Sequence, residues 1–533
     1  MNFNDDNFSD HWPSPNMKIY RKDESMRDVN NSKNGKVCSL IFSSSLASLE
    51  NVSMAIRSSA EQSLAKSLSP TVEEISIYDV RSHRKRIVLL AALAMIAFLL
   101  PFCDTIYLPV LNDIVRDLKT SNTLVALSIS IYLFMSGFWS LFWGCISDRY
   151  GRKITVVVAL TIFVVASIIC IFAHNIAVLI VFRAIEGGAV SATLVVGQSL
   201  VADIYPEGKR GLAVAFFYVP FNIGPVIGPL IGGPLSQAFG WHSTFIFLSI
   251  FSFCVLLIML IIVPETHQYF VKNRFHKANP TKCIIDAQPN ELMPFRKPWQ
   301  PLTYLADLTI IPYIAVMTTT LATLYSSLTL FSTYLSARPY SYSETIIGLL
   351  FVPGGLAMFA SSILSGWLSD KASKHYGHER CPEGRLLPAI ALSILHPIGL
   401  IIYGWTFHYK LNLAGPLIGF ILISIGQAVL EPSVSSYLTA KKQSEAGAVS
   451  AANNFVNCCA AGILVTVAIP LENAMQTGPY FSLLCGINVV SITLDSIPVY
   501  KHIRQSKLVI EKLNGSAINQ KTDSPSIQSI TKF

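Results

Sequence analysis

The chain has 533 residues, of which 52% are hydrophobic and 14% charged, with a formal net charge of +8 and a mean hydropathy of +0.49. Soluble domains carry about a quarter charged residues, so composition alone excludes a water-soluble enzyme or binding module. The basic excess does not point to nucleic acid either, because Lys and Arg sit in short loops between apolar blocks, the pattern that sets membrane orientation.

In chain order, residues 1–86 are rich in Ser, Asn and charge, with no apolar signal core before "IVLLAALAMIAFLL". This predicts a disordered cytosolic tail rather than a cleaved leader. Apolar blocks follow near 87–107, 123–146, 154–173, 176–202, 211–237 and 243–263. After a polar stretch come six more, near 308–335, 345–368, 386–407, 413–438, 446–470 and 479–500. Each is long enough to cross a hydrocarbon core as a helix. The expectation is an all-α polytopic membrane protein of twelve transmembrane helices in two six-helix bundles, 87–265 and 306–500. A cytosolic linker at 266–305 joins them and a cytosolic tail at 501–533 follows.

With the N-terminus inside, the inner loops between spans carry 17 Lys and Arg, and the outer loops only Arg116, Lys119, Arg338 and Lys410. The opposite orientation would invert that ratio, so both termini are expected in the cytosol. Ten cysteines form no CxxC pair and no metal spacing. They read as small apolar packing residues, and no metal or cofactor is expected.

A short repeat relates the halves. "GCISD" ends span 2 and "GWLSD" ends span 8, with Asp148 and Asp370 222 residues apart. Two repeated bundles about a midplane site are transporter architecture. The first copy continues as "GCISDRYGRK", 144–153. There Gly144 permits close helix approach and Gly151 a chain reversal, while Asp148, Arg149, Arg152 and Lys153 fill a tight turn. A stop signal for membrane insertion would explain the basic residues but not Asp148 or the glycines. Span 5 holds "FNIGPVIGPLIGGPL", 221–235, whose glycines and prolines would ruin a soluble helix. Neighbouring membrane helices tolerate them, and glycine faces allow tight packing.

Ionisable residues inside spans are functional candidates by default. Asp104, in "PFCDTIYLPV" of span 1, reads as a cavity carboxylate able to exchange a proton or bind a cationic substrate, the alternative being a solvated residue at the outer interface. Arg183 and Glu186, in "VFRAIEGG" of span 4, are three residues apart, so they form either a self-neutralising pair or a working one. Glu431, before Pro432 in span 10, is a cavity candidate. Asp495 of span 12 is expected near the cytosolic interface, and His396 of span 9 is expected to be hydrogen-bonded into helix packing. Tyr132, Phe134, Phe138, Trp139 and Phe217 are aromatic residues that packing or a pocket could use.

"GCISDRYGRK" resembles the major facilitator superfamily, whose loop between spans 2 and 3 has the pattern G-x-x-x-D-R-x-G-R-K. The resemblance covers roughly residues 87–500. It implies the 6+6 fold and places Asp148 and Arg152 in a charge network that latches the cytosolic side, with Gly144, Arg149, Gly151 and Lys153 in the same gating motif and Asp370 as its echo. Gly224, Pro225, Gly228, Gly232 and Gly233 resemble the antiporter motif of exporters, with Pro229 as an extra proline. "RAIEG" resembles a span-4 pattern R-x-x-Q-G whose arginine is implicated in proton transfer, but Glu186 stands where the glutamine is usual. "SAANNFVNCCAAG", 450–462, resembles span 11 of fungal twelve-span drug:proton antiporters, which often carry an arginine where Asn457 stands. "VPET", 263–266, is also common in this group.

The resemblance implies a secondary transporter that exports small organic molecules or drugs in exchange for protons by alternating access. Proton and substrate coupling falls to Asp104, Arg183, Glu186 and Glu431, with Arg183 facing the cavity between the halves. Its partners are a small organic substrate, protons and membrane lipid, and it is expected to act as a monomer in the plasma membrane, with the vacuolar membrane as the alternative. A proton symporter or facilitator is the second reading, and a non-transporting sensor of the same fold the third. No G-x-x-x-x-G-K-[ST], H-E-x-x-H or G-x-S-x-G pattern is present, which argues against ATP use and against an enzyme.

Overall fold

Twelve helices long and apolar enough to span a membrane run through the computed structural model, which describes residues 73–75, 82–205, 207–278, 282–284, 297–307, 309–376, 382–441 and 446–522. Spans 1 to 6 are His83–Asp117, Asn122–Tyr150, Arg152–Ile171, Ile176–Ile204, Phe216–Phe239 and His242–Ile262. Spans 7 to 12 are Ile311–Ser336, Glu344–Ser373, Glu383–His408, Ala414–Ser435, Val449–Met475 and Thr477–Lys501. Each predicted apolar block falls on one of them.

Proline sets the breaks within spans, because it lacks the N–H that the helix ladder needs. Span 1 is helical over His83–Thr105 with Pro101 inside, then continues through a tight turn, Leu108–Val110, and a short helix, Leu111–Asp117. Span 10 is interrupted between Ala414–Ala428 and Leu430–Lys441, just before Pro432. Span 9 is interrupted between Leu387–Ser393 and Leu395–His408, just before Pro397.

Outside the spans, three segments carry secondary structure that the sequence reading did not specify. The expected tail lies outside the described residues as far as residue 72, but a short strand, Glu73–Ile75, pairs in parallel with Lys282–Ile284 of the linker. The linker also forms a helix, Gln268–Ala278. The last helix runs on from span 12 to Thr522, so most of the expected C-terminal tail is helical; 523–533 lie outside the described residues.

The two halves meet along two helix pairs, span 2 on span 11 and span 5 on span 8. Small residues make both contacts. A Cβ on Gly137 would stand 2.8 Å from Cys458 Cβ, and one on Gly462 would stand 2.7 Å from the Ser130 carbonyl oxygen. Gly348 lies against the backbone of Pro229, Gly233 against that of Glu344, and Gly355 against Val226. Hydrogen bonds join the halves near the same end: Asn112 to Ser336, and the Thr345 N–H to Gln237 Oε1 at 3.3 Å. At the opposite end the pattern changes. Gly144 would meet only Val195 of its own half, at 3.8 Å, and Gly366 would meet nothing within 4 Å. These are the glycines of the two related motifs. Gly366 faces open space, and Gly144 makes only an ordinary contact within its own half.

Candidate functional site

Asp104 lies one turn past Pro101, where span 5 presses on span 1. Glycines 224, 228 and 232 recur every fourth residue and so share one helix face. A Cβ on Gly224 would come within 2.7 Å of Pro101, while Gly228 lies against Thr105 and Gly232 against the Ile106 carbonyl. The antiporter-like motif therefore packs span 5 onto the turn that carries Asp104. Gly233 turns the other way, to Glu344 of span 8, and Pro225 lies inside the span-5 helix. Asp104 itself is 1% exposed. Neither carboxylate oxygen completes a hydrogen bond, and its polar neighbour is Tyr325, which comes from span 7 in the other half.

Arg183 and Glu186 occupy a different place. Arg183 Nη1 donates to Glu186 Oε2 at 3.1 Å, and both side chains are 0% exposed. Glu186 Oε1 accepts from Ser167 of span 3 at 2.6 Å. The guanidinium lies 4.2 Å from the ring centre of Tyr132 and 4.9 Å from that of Tyr107, with Cys103 Sγ at 3.5 Å. Stacked rings stabilise a desolvated guanidinium through their negative faces. All of these partners belong to spans 1 to 4. Arg183 thus sits among side chains of the first half rather than facing the cavity between the halves, with Nη1 engaged by the glutamate while Nε and Nη2 complete no hydrogen bond.

Glu431 stands at the start of the second segment of span 10, beside Gln427. Tyr218 of span 5, Tyr325 of span 7 and Cys458 of span 11 lie within its electrostatic reach. It therefore faces the boundary from the second half, as Asp104 does from the first.

The loop between spans 2 and 3 builds a charge cluster. Arg152 pairs with Asp148 at 2.6 Å and with Asp203, at the end of span 4, at 3.2 Å, and its Nη1 also donates to Ser147 Oγ at 2.7 Å. Glu265, from "VPET", accepts from the backbone N–H groups of Arg152 at 3.0 Å and Lys153 at 3.1 Å, capping span 3. Lys153 Nζ reaches the Leu260 carbonyl at 2.7 Å, and Arg149 is exposed. Gly151 has φ of +104°, which favours glycine, and a Cβ there would come 2.6 Å from Glu265. His267 lies beside the cluster, and burial together with the Arg152 charge holds it below the ordinary histidine value. The echo of this cluster is thinner: Asp370, largely exposed, lies 3.6 Å from Arg385.

Of the remaining residues, His396 is packed as expected, with Nδ1 2.9 Å from the Ile423 carbonyl and Nε2 2.8 Å from Thr323 Oγ1. Asp495 is 1% exposed, enclosed by helix packing near the end of span 12. Asn457 accepts from Thr318 at 2.6 Å. Tyr132 packs on Arg183, Phe217 is buried, and Phe134 and Phe138 are exposed.

Sequence reasoning missed Asp203, Glu265, Ser167 and Tyr325. An acid at the end of a span, where the loops are otherwise basic, is the signal that would have found the first two. Ser167 and Tyr325 carry no such mark, since small hydroxyls and tyrosines recur throughout the spans.

Twelve spans in two half-bundles, with the buried Asp104 carboxylate where spans 1, 5 and 7 meet, have the architecture of a membrane transporter of small molecules. Residues 93–466 match the profile of the Major Facilitator Superfamily, and the chain belongs to that family. It is 26% identical over 516 residues to the MFS antiporter QDR3 of Candida albicans, covering 73% of this chain and 74% of that protein. It is 26% identical over 479 residues to Citrate exporter 1 of Aspergillus niger, covering 82% and 90%. The xylose transporter XylE from E. coli shares the fold, with a TM-score of 0.59 at 13% identity over 77% of this chain and 97% of that one.

Proposed function

We propose that the protein exports a small organic molecule in exchange for protons, by alternating access between its two halves. The observation that carries this reading is the Asp104 carboxylate, buried at the boundary with neither oxygen hydrogen-bonded. A carboxylate left without partners is free to take a proton or a substrate in turn, and a shared site of that kind couples the two. Glu186 is the weaker carrier, because both its oxygens are already engaged. It holds Arg183, and Asp104 carries the proton.

The relatives named as an antiporter and as an exporter support the direction of transport, and so does the glycine face of span 5 that packs on the Asp104 turn. The 17 to four distribution of basic loop residues supports termini in the cytosol. The open space at Gly366 then lies on the cytosolic side. In the proposed cycle a proton from outside neutralises Asp104, substrate leaves, and the halves rock; the cytosolic side opens, the proton departs and substrate binds. The membrane potential supplies about 2.3 kcal/mol per charge per 100 mV. The protein works as a monomer in the plasma membrane.

The test is proton flux in proteoliposomes with an acidic lumen, challenged with a panel of organic cations and with citrate. Exchange predicts that an accepted substrate enters as the lumen becomes less acidic, and that Asp104→Asn abolishes this coupling while Glu186→Gln retains it. Symport predicts the opposite sign of proton movement. Coupled flux that survives Asp104→Asn refutes the assignment of the proton to this residue.

A further inference from the structure

Span 1 turns at Leu108–Val110, and the short helix that follows, Leu111–Asp117, brings Asn112 onto span 7 of the other half. There the Asn112 side-chain amide donates to Ser336 Oγ. Ser336 donates its own proton to the Ser332 carbonyl at 2.9 Å, which leaves its oxygen free to accept. A second amide works between spans 5 and 8. Gln237 Oε1, near the end of span 5, accepts from the Thr345 N–H at 3.3 Å. That N–H lies in the first turn of the helix Glu344–Tyr376, where the helix itself offers no acceptor.

Beside Asn112 a crevice of about 210 Å³ remains between the halves. Its walls are Asn112, Val115 and Val125 on one side and Thr329, Thr333 and Ile469 on the other, with no charged side chain among them. The ion pairs of Arg152, Arg183 and Arg385 each lie within one half, so they do not hold the halves together. A third bond between the halves, Asn222 Nδ2 to Ser362 Oγ at 3.2 Å, lies at the other end of span 5, about 22 Å deeper at 1.5 Å per residue. On the orientation proposed above, the Asn112 and Gln237 end is the outer one.

We infer that Asn112 and Gln237 are the latches of the outer gate, two uncharged amides whose bonds to the second half form when the outer side closes and break when it opens. This rests on the alternating-access reading above and names the side chains that close its outer face. Neutral bonds suit a gate that must reopen in every cycle. Water takes their place on opening, so each shifts the balance between closed and open by only about fivefold. A charge-assisted bond at the same place would hold roughly twice as hard.

The experiment reads access to the crevice from outside. Thr329→Cys is introduced into the full-length chain in sealed proteoliposomes, counting only molecules whose C-terminal tag is shielded from added protease. Its rate of reaction with a membrane-impermeant methanethiosulfonate is measured against the chain without the added thiol. In this parent, Asn112→Ala and Gln237→Ala should each raise the rate about fivefold, and together about 25-fold, because both bonds close one equilibrium. Gln237 is the discriminating position. It touches span 8 and no wall of the crevice, so a merely local loosening there would leave the thiol unreached. Ser336→Ala should match Asn112→Ala and add nothing to it, while Ser336→Thr, which keeps the hydroxyl, should react as the parent does. Asn222→Ala, at the deeper contact, should not raise the rate. Parental rates in Asn112→Ala or in Gln237→Ala would overturn the inference, as would an equal rise in Asn222→Ala. If no variant labels, while the thiol reacts in denaturant, alternating access fails and the latch with it. Labelling needs neither substrate nor a proton gradient, so parental rates here leave the exchange measurement standing.

Discussion

Arg183 and Glu186 face each other across 3.1 Å, one helical turn apart in span 4, with no part of either side chain exposed. Removing one member of such a buried pair strands the other's charge, at a cost of about 3–5 kcal/mol, whereas replacing both with apolar residues is often neutral. Arg183→Met and Glu186→Leu are each expected to lower the melting temperature in detergent markedly, and the double variant to recover most of the loss. Glu186→Gln keeps one accepting oxygen for Arg183 and presents an amide that can donate to the Ser167 hydroxyl, so it should cost less than Glu186→Leu. Additive losses in the double variant would mean that the pair does not act as a unit.

The glycines of span 5 and span 8 give a contrasting pair of predictions. Gly228 lies against Thr105 and the Ile106 backbone, so a methyl there must move span 5 away from span 1. Overpacking of this kind costs about 1–3 kcal/mol. Gly366 has open space around its missing side chain, and alanine is a better helix former than glycine by about 1 kcal/mol. Gly228→Ala should therefore melt at a lower temperature than the wild type, and Gly366→Ala at the same or a higher one. Equal melting of the two variants would contradict the packing described for span 5.

The spans and their division into halves were legible because a bilayer imposes length and polarity on every segment that crosses it. Asp104, Glu431 and the Asp148–Arg152 turn were legible for the same reason, since charge inside or beside an apolar block stands out. What one sequence did not carry was facing. Arg183 was expected between the halves, but its direction depends on Tyr107, Tyr132 and Ser167, three residues on three other helices whose rotation no local pattern fixes. The enclosure of Asp495 by neighbouring helices was likewise not legible from its place near the end of span 12. The Glu265 cap joins residues 113 positions apart, a pairing that only the folded chain makes visible.

That cap supplies another test. Glu265 accepts from four backbone N–H groups, those of Arg152, Lys153, Thr266 and His267, at 2.9 to 3.1 Å. Losing a helix cap of this type costs about 1–2 kcal/mol. Glu265→Ala is expected to lower thermal stability by that order and to speed hydrogen exchange at the first turn of span 3, while Glu265→Gln, which keeps one accepting oxygen, falls between. Unchanged exchange at Arg152 and Lys153 in the alanine variant would show that the cap contributes nothing.

His267 makes the same corner sensitive to acid. The charged groups facing it are Asp148, Arg152 and Glu265, and burial and the Arg152 charge hold it below its ordinary value of 6.5. The folded chain therefore binds this proton less readily than the unfolded chain does. The unfolded state takes up more protons as the pH falls through 6.5, so stability is lost on that side and regained above it. Carboxylates elsewhere also titrate in acid, and the useful quantity is the difference between the wild type and His267→Gln. Melting temperatures taken from about pH 8 down to about pH 5 should fall more steeply for the wild type. Parallel curves for the two proteins would show that the histidine is not held neutral by its surroundings.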